Sequence, residues 1–585
     1  MRKEVLKRVS RILRFACMTA WVSVGIGCEE LDDTITSDPY AGGKEPFDIA
    51  LSAEEPVPSE GYPGDTVVFK AEGLLKYCGS QEGEYRFKFY LGEQESKILA
   101  VTDTTLAVEV PYEVSSGVTY LVIDNQVFYG PFFPVLGNVS IDNNWALYAK
   151  GTDGTVYGCL EKYTTAPNYY VVGDFTTIGD VKLNGIGFVD YQGNVAKANS
   201  SNFSAQNGLM IDTEDLFTSS YIKSISSFSD GRMLVSGAFS AYYSNNSHSP
   251  ASKKDRVYGD NIMILNSNAS ADTICRIYWE TENNWAEQKY VGQSALNGGT
   301  TQEIIRSFVT SDQKIVAVGN FTQYVCTEYA YVFEDNAQRK TDVASVFRMD
   351  EHGKLDSLYR LVVPGNRYTG AEGGKVEDAC MDGDDGVILV GSFTSFDGVD
   401  APGIVRLDRD GEVDRDFLAH VGAGPNGSVS MVRYNKSLGK MMLVGRFTEY
   451  DGQERKQMVM LNSDGTLDSD FKLKEMTGGS PNFAQLIDRG KVVVSGTFTT
   501  YAGIPRNGFL ILDMDGTAQQ KFNVPGVFNG QLYQVQESQT TVGSYGLLLM
   551  GKFTRFNSKV VHNMLMLELD LDLSLIHISE PTRQE

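Results

Sequence analysis

The segment KMMLVGRFTEYDGQERKQMVMLNSDGTLDSDF (440–471) contains the pattern that decides the fold. An apolar run ends in Gly445-Arg446-Phe447, a second strand-like run follows, and Asp464-Gly465 predicts a turn. Because the same layout recurs along the chain, it indicates one supersecondary unit that is copied. The copies of Gly-x-Phe begin at Gly173, Gly237, Gly319, Gly391, Gly445, Gly496 and Gly551.

Each unit is predicted to form four short strands, which in the fifth copy are 428–434, 440–448, 457–462 and 466–472. Asp-Gly between apolar runs is typical of a hairpin turn in which both central residues have positive φ. The glycine indicates a close backbone approach or a β-bulge, and the phenylalanine is expected to pack between sheets. A four-stranded unit cannot bury both faces alone, so neighbouring units must cover it. Seven units fit one closed β-propeller, and an open β-solenoid is the alternative.

The residues VGSFTSFDGVDAPGIVRLDRDGEVDRDF (390–417) and their copies resemble the delta sixty-residue repeat family of β-propellers. The resemblance implies an all-β chain with a seven-bladed β-propeller at 138–571. It implies no particular chemistry, because function on such a scaffold depends on individual sites.

Residues 46–136 are predicted to form a separate small β-sandwich. Apolar and polar residues alternate at 56–74, 85–92 and 104–124, as in half-exposed strands. This pattern is typical of immunoglobulin-like domains. It resembles the IPT/TIG family, which implies a spacer or contact module. The matching residues are Gly61, Pro63-Gly64-Asp65, Val67, Phe69, Gly73, Val110-Pro111 and Gly117.

Residues 1–27 are typical of a secretory signal: six basic residues precede the apolar stretch FACMTAWVSVGIG (15–27). This stretch is too short to cross a bilayer as a stable helix. Gly27 before Cys28 resembles the bacterial lipoprotein cleavage site, although Gly25 stands where that family prefers leucine. The resemblance implies that Cys28 is the lipidated first residue of the mature chain. An ordinary signal peptide followed by a chance cysteine is the alternative.

The acidic run EELDDT (29–34) resembles the surface-export signal of Bacteroidota lipoproteins. It implies a location on the outer face of the outer membrane, with the lipid as the only membrane attachment; a charged linker is the alternative. Residues 28–45 are predicted to be a flexible acidic tether. The net charge is −24, and removal of residues 1–27 leaves 45 basic against 74 acidic residues, or −29. This charge disfavours nucleic acid as a partner.

The repeat spacing breaks at two equivalent loops. The turn comes 32 residues after Gly237 and 34 residues after Gly319 instead of 20, which indicates insertions of 12 and 14 residues. The first insertion lies in 241–261 and the second in 324–342, and a long connector (276–299) joins the two units. Loops inserted into a regular scaffold often carry function, and equivalent loops are expected on one face.

Aromatic residues are concentrated in these three segments. Flat rings next to amide and acidic side chains can stack on and hydrogen-bond a sugar, or anchor a protein partner. The alternative is that the loops fold back and the rings form a small core. The predicted ligand contacts are Tyr242, Tyr243, Tyr278, Trp279, Trp285, Tyr290, Tyr329 and Tyr331.

The sequence predicts no catalytic residue, no metal site and no cofactor. The five histidines are isolated, the seven cysteines form no C-x-x-C, and no zinc, nucleophile or phosphate-loop motif occurs. Asp408 and Asp410 are interpreted as turn residues, because a calcium loop starting at Asp408 would need a glutamate where Ala419 stands.

We therefore predict a surface-exposed, lipid-anchored binding or scaffold protein without catalytic activity, which contacts a glycan or another surface protein. An extracellular hydrolase or lyase acting on polysaccharide in the propeller channel is one alternative. A structural partner in an outer-membrane complex is another. Leu571 stands where the last copy should have glycine, and 572–585 match no repeat, so this segment is interpreted as a non-native tail.

Overall fold

The computed structural model describes residues 47–571, except 82, 164–165, 197–202, 205–206, 210–219, 245–254, 283–284, 331–335 and 361–367. The predictions for the signal, for Cys28 and the tether, and for the tail 572–585 lie outside the described residues. Strands dominate, and within the described part α1 (Arg415–Val421) is the single α-helix, beside the 3₁₀ turns Leu75–Tyr77 and Gln520–Phe522. The all-β prediction is confirmed.

The N-terminal part is one folded-over sheet. Alternation along its second strand turns Val67, Phe69 and Ala71 inward. Phe69 packs against Phe89 of the opposite layer, with ring centroids 4.9 Å apart. The strand order is β1-β2-β5-β4-β3-β6-β7. The strands are β1 (Ala50–Leu51), β2 (Thr66–Glu72), β3 (Lys88–Leu91), β4 (Gln94–Val101), β5 (Thr105–Glu109), β6 (Gly117–Ile123) and β7 (Gln126–Phe133).

The repeated part contains seven antiparallel sheets, within the described residues, in which the second strand lies between the first and the third. In chain order the sheets are β9 (Val156–Tyr163), β10 (Pro167–Gly173) and β13 (Ile186–Asp190); β15 (Tyr221–Ser227), β16 (Met233–Ala238) and β19 (Ile262–Leu265); β23 (Ile304–Val309), β24 (Ile315–Gly319) and β27 (Val346–Met349); β29 (Val376–Met381), β30 (Val387–Gly391) and β33 (Ile404–Leu407); β34 (Val429–Asn435), β35 (Lys440–Gly445) and β38 (Met458–Asn462); β40 (Pro481–Leu486), β41 (Lys491–Gly496) and β44 (Phe509–Asp513); and β45 (Phe528–Gln539), β46 (Tyr545–Phe556) and β48 (Met564–Leu569).

The repeated glycine is required by a close backbone contact. A Cβ added to Gly391 would lie 1.9 Å from the carbonyl oxygen of Lys375, and one added to Gly445 would lie 2.2 Å from that of Ser428. The register of the first strand shifts opposite Gly445, so a β-bulge lies there as predicted. The seven phenylalanines that follow these glycines are all buried: Phe175, Phe239, Phe321, Phe393, Phe447, Phe498 and Phe553.

The last sheet takes its fourth strand from the start of the repeated region. β8 (Val139–Ile141) pairs antiparallel with β48 and places Ser140 opposite Glu568. The first strands of all seven sheets line one cavity of ≈ 250 Å³. Sheets arranged around a shared cavity and closed by strand pairing are the arrangement of a β-propeller.

Short strands, which we call the rim strands, form small sheets of their own, except that the last of them joins the seventh sheet. The predicted fourth strand is reduced: in the fifth unit it is a single bridge between Leu461 and Leu467. The rim strands are β11 (Thr177–Ile178), β12 (Val181–Lys182), β14 (Gly208–Leu209), β17 (Ala241–Ser244), β18 (Asp255–Tyr258), β22 (Gly299–Thr300), β25 (Gln323–Glu328), β26 (Ala337–Asp342), β28 (Ala371–Glu372), β31 (Ser395–Phe396), β32 (Val399–Asp400), β36 (Glu449–Tyr450), β37 (Gln453–Glu454), β39 (Met476–Thr477), β42 (Thr500–Tyr501), β43 (Ile504–Pro505) and β47 (Lys559–Val560). The connector between the second and third sheets forms the hairpin β20 (Thr273–Glu282) and β21 (Trp285–Ser294).

The Asp-Gly turns differ from the prediction that both central residues have positive φ. In the fourth unit Gly411 has a φ of +84°, whereas Asp410 does not have positive φ. The carboxylate of Asp408 accepts hydrogen bonds from the backbone N–H groups of Asp410 and Glu412, both at 2.9 Å. The side chain therefore stabilises a turn in which only the glycine is left-handed. The interpretation of these aspartates as turn residues is confirmed.

The N-terminal sheet packs directly on the sixth repeated unit. The backbone N–H of Ser116 donates to the carbonyl of Val524 at 2.8 Å, and Arg506 Nη1 donates to Ser115 Oγ at 2.9 Å. Arg506 is 4% exposed, and burial lowers its pKa to about 10. Because these polar groups are buried and paired, the contact fixes the N-terminal sheet against the propeller.

Candidate functional site

The two insertions and the connector meet at one cleft of ≈ 630 Å³, which we call the insertion cleft. All three segments therefore lie on one face, as their equivalent positions in neighbouring units imply. The cleft is lined by Ser240, Tyr258, Gly259, Asp260, Gln293, Ser294, Leu296, Asn297, Gly298, Thr327, Tyr329, Asn336, Ala337 and Gln338.

The insertions lengthen rim hairpins that are short elsewhere. The equivalent hairpin of the fourth unit, β31–β32, has two residues in each strand, whereas β17–β18 has four and β25–β26 has six. The β20–β21 hairpin has ten residues in each strand, and β18 contacts β21. The cleft therefore lies beside hairpins that are longer than their counterpart in the fourth unit.

Close backbone packing builds the floor of the cleft. A Cβ added to Gly298 would lie 1.9 Å from the hydroxyl oxygen of Tyr324, and one added to Gly299 would lie 2.0 Å from the carbonyl oxygen of Asp260. The side chain of Asn297 donates to the carbonyl of Thr327 at 2.9 Å and accepts from its N–H at 2.8 Å. These contacts tie the connector to both insertions, so the floor is pre-formed.

Two tyrosine rings flank the opening, and each carries an arginine on its face. The guanidinium of Arg276 lies 3.8 Å from the ring centroid of Tyr329, and that of Arg256 lies 4.8 Å from the ring centroid of Tyr258. Such cation–π contacts hold the rings in place. Tyr258 remains 48% exposed, so part of its surface is open to a ligand.

Asp260 is the acidic residue of the cleft lining. Its carbonyl accepts a hydrogen bond from the N–H of Thr300 at 3.0 Å, whereas its carboxylate makes none with the described residues. Burial raises the pKa of this carboxyl above its usual range. A carboxylate that is removed from water and accepts no hydrogen bond gains more binding free energy from a ligand hydroxyl than a hydrated carboxylate does.

The structure separates the predicted contact residues. Tyr329 lines the cleft, and Tyr243 lies on β17 opposite Arg256. Tyr242 is fully buried and its hydroxyl donates to the carbonyl of Ala269 at 2.7 Å, so its ring belongs to the core. Tyr331 lies outside the described residues. The side chains on the connector hairpin also lie outside the described part: Tyr278, Trp279, Trp285 and Tyr290.

Sequence reasoning missed Tyr258, Asp260 and Asn297. Tyr258 ends the first insertion, and the same search for aromatic residues could have included it. No sequence pattern pointed to Asp260 and Asn297, because their position in the cleft depends on contacts between segments that are distant in sequence.

A charge cluster of a different kind lies beside the central cavity, which its two arginines line. Asp378 accepts a hydrogen bond from Arg306 Nε at 2.8 Å and one from Arg433 Nη1 at 2.5 Å. Burial alone would raise the pKa of Asp378, but the two guanidinium charges outweigh it and lower this pKa to about 2. A carboxyl in that state is a poor general acid or base at neutral pH. Burial raises the pKa of Glu161, whose carboxylate accepts from Gln536 at 3.1 Å.

Three further observations apply to the described residues alone. No group of three or more His, Cys, Asp and Glu side chains is arranged to hold a metal ion. No helix combines the length and apolar character needed to cross a membrane. The cysteines in this part of the chain are free, and they are Cys78, Cys159, Cys275, Cys326 and Cys380.

Three protein families match separate parts of the chain. Residues 24–131 match a domain of unknown function (DUF5008), and residues 135–224 match another (DUF5124). Residues 384–417, 439–471 and 490–518 match a domain described as a β-propeller of unknown function (DUF5122). These last matches fall on the fourth, fifth and sixth Gly-x-Phe units. The chain is therefore a β-propeller protein.

Similar solved structures share little sequence with the chain. The WD40 β-propeller domain of Doa1 is 11% identical with a TM-score of 0.38, over 75% of this chain and 99% of that chain. An auxiliary nutrient binding protein from Bacteroides thetaiotaomicron is 13% identical with a TM-score of 0.20, over 72% and 100%. One from Bacteroides ovatus is 10% identical with a TM-score of 0.18, over 71% and 98%. Among curated protein sequences, no significant match was found.

Proposed function

We propose that the protein is a non-catalytic binding protein that captures glycans in the insertion cleft. The observation that carries the proposal is the meeting of three irregular segments around one ≈ 630 Å³ cleft on a regular scaffold. Tyrosine rings supply faces for stacking, amide side chains supply donors and acceptors, and Asp260 supplies an acceptor for hydroxyl groups. This combination of apolar faces and convergent polar groups is typical of a ligand site.

We also propose the number of propeller blades, the type of the N-terminal domain and the cellular location of the protein. The repeated part, 138–571, is a seven-bladed ring, and residues 46–136 are an immunoglobulin-like domain of the IPT/TIG type. The shared cavity and the β8–β48 pairing support the ring, and the folded-over sheet supports the sandwich. Cys28 carries the lipid, residues 28–45 are the tether, and the protein stands on the cell surface of a member of the Bacteroidota. The sequence patterns of residues 1–45 support this cellular location.

The alternative of an enzyme in the channel has less support. The buried carboxylate of Asp378 is neutralised by two arginines, and its pKa lies far below neutrality. Glu161 has a raised pKa, but retaining and inverting glycosidases both need a pair of facing carboxyl groups. The geometry therefore favours binding over hydrolysis.

Replacing Tyr258 and Tyr329 together by alanine is expected to weaken glycan binding about tenfold, because each stacking face is worth roughly 0.5–1.5 kcal/mol. A glycan array on the chain without residues 1–28 identifies a bound glycan, and calorimetry then gives the dissociation constant of each variant. Tyr112→Ala, which removes a 69% exposed tyrosine from the loop between β5 and β6, is the control and should bind as wild type. Undiminished binding by the double variant would exclude the insertion cleft.

Asp260→Asn is expected to raise the free energy of unfolding at pH 7 while weakening binding of the same glycan. The folded state keeps an ionised carboxylate away from water, so removing the charge relieves a penalty; the gain shrinks as the pH falls towards the raised pKa. Chemical denaturation at pH 7 and pH 5 measures the stability. A residue with a purely structural role would lose stability on substitution, and that result would contradict a role in binding.

A further inference from the structure

The wall of the central cavity is basic although the chain as a whole is strongly acidic. Lys223, Arg306 and Arg433 line the cavity, and no acidic residue is among the residues that line it in the described part of the chain. The net charge of the protein is −24. Three cations in the lining of one cavity therefore stand out from the rest of the molecule.

The acidic partners of these cations do not line the cavity. Asp378 is shared by both arginines, and Glu303 pairs with Lys223 at 2.7 Å. The negative charges of Glu161 and Asp174 also act on side chains of the lining. The lining itself therefore carries positive groups alone, and the carboxylates that offset their charge lie outside it.

The two guanidinium groups also keep unused donors. Each arginine has five N–H groups. Arg306 uses two of them, on Asp378 and the carbonyl of Lys223, and Arg433 uses three, on Asp378 and the carbonyls of Val432 and Tyr533. Of ten donors, five have no acceptor among the described residues. Two of the nitrogens, Arg306 Nη2 and Arg433 Nε, make no hydrogen bond with the described residues, and neither is fully buried.

Aromatic hydroxyl-bearing residues complete the wall. Tyr157 and Tyr533 line the cavity, and their rings meet edge to face with centroids 5.1 Å apart. Burial raises the pKa of both hydroxyls, so both remain protonated donors at neutral pH. The cavity volume of ≈ 250 Å³ admits a small ion and a few waters.

We propose that the central cavity is a binding site for a small oxyanion, held by Arg306 and Arg433 with Lys223 beside them. Sulfate, phosphate and the carboxylate of a small organic acid share the chemistry that these donors recognise, since planar guanidinium groups bind oxyanions through paired N–H groups. This site is separate from the insertion cleft, and it does not depend on the proposed glycan binding.

Anion binding should raise the melting temperature of the protein with a saturable dependence on concentration, because the anion binds the folded state alone. The full chain without residues 1–28 is titrated with sodium sulfate, sodium phosphate and sodium acetate at pH 7, with sodium chloride to keep the ionic strength constant. The salt with the lowest apparent dissociation constant identifies the natural class of anion. Lys223→Gln should weaken that constant at least about fivefold, whereas Lys559→Gln, which removes an exposed lysine, should leave it unchanged.

Crystals soaked in sodium selenate locate the site directly through the anomalous signal of selenium. We expect a peak within hydrogen-bond distance of Arg306 and Arg433, and a weaker peak there in Lys223→Gln crystals when both are soaked near the wild-type dissociation constant. A wild-type cavity without a peak at saturating selenate would overturn the proposal. Melting curves that respond equally in wild type and Lys223→Gln would overturn it as well.

Discussion

Gly391→Ala is expected to lower the free energy of unfolding by about 3 kcal/mol or more, the upper end of the cost of overpacking a core. The new Cβ would lie 1.9 Å from the carbonyl oxygen of Lys375 and 3.0 Å from the ring of Phe393. The first contact is with backbone inside a β-bulge, so it cannot be relieved by a side-chain rotation. Urea denaturation followed by circular dichroism measures the change.

Gly383→Ala is the matched control in the same sheet. Gly383 lies in the turn between β29 and β30, and the nearest atom to its added Cβ is Cε of the flexible Lys436 at 3.5 Å. The free energy of unfolding of Gly383→Ala should stay within about 0.5 kcal/mol of that of the wild type. Equal effects of the two substitutions would show that the repeated glycine is not enforced by the bulge.

Asp378→Ala is expected to cost about 3–5 kcal/mol, because it leaves two half-buried arginines without their shared counter-ion. Asp378 is 4% exposed and connects the third, fourth and fifth sheets through its two ion pairs. Asp384→Ala removes an exposed carboxylate from the next turn and is the control, with a change below about 0.5 kcal/mol. A change below about 1 kcal/mol in Asp378→Ala would contradict the proposed cost.

The same residue gives a dependence on pH with a defined sign. The pKa of Asp378 is lowered from 3.8 to about 2 in the folded state, so its stabilising effect is complete above pH 4 and is lost as the pH falls towards 2. The stability difference between wild type and Asp378→Asn should therefore shrink by roughly 2 kcal/mol over this range. A difference that stays constant from pH 5 to pH 2 would show that Asp378 is not held ionised by its arginines.

The repeated units were predictable from sequence because their signal is local. The repeated glycine lies at or next to the end of the central strand in the first six copies and within β46 in the seventh, and the phenylalanine is buried in all seven. A pattern of three residues therefore marked each sheet. The closing strand β8 was not predicted, because Val139–Ile141 is too short to show a period and its partner lies at the other end of the repeat. Pairing between distant segments leaves no trace in a single sequence.

The candidate site was predicted at the level of segments and not of side chains. Spacing alone identified the loops that build the insertion cleft, because a repeat makes insertions countable. Composition could not distinguish Tyr242 from Tyr258. The ring of Tyr242 is buried in the core, whereas that of Tyr258 is half exposed. Both lie in strands of one hairpin, and the face on which a ring lies is set by the register of that hairpin.

The ring on which the cleft and the cavity both depend can be tested by one disulfide. Ser140 and Glu568 are directly opposite in the β8–β48 pair, where Cα atoms are about 4.5–5.5 Å apart, within the range of a disulfide. The double variant Ser140→Cys/Glu568→Cys should form an intramolecular bond under mild oxidation, detected by mass spectrometry of non-reduced peptides. A pair placed on different sheets, Ser140→Cys/Glu412→Cys, should form none. Failure of the first pair to link, or a link only between two molecules, would contradict the closed ring.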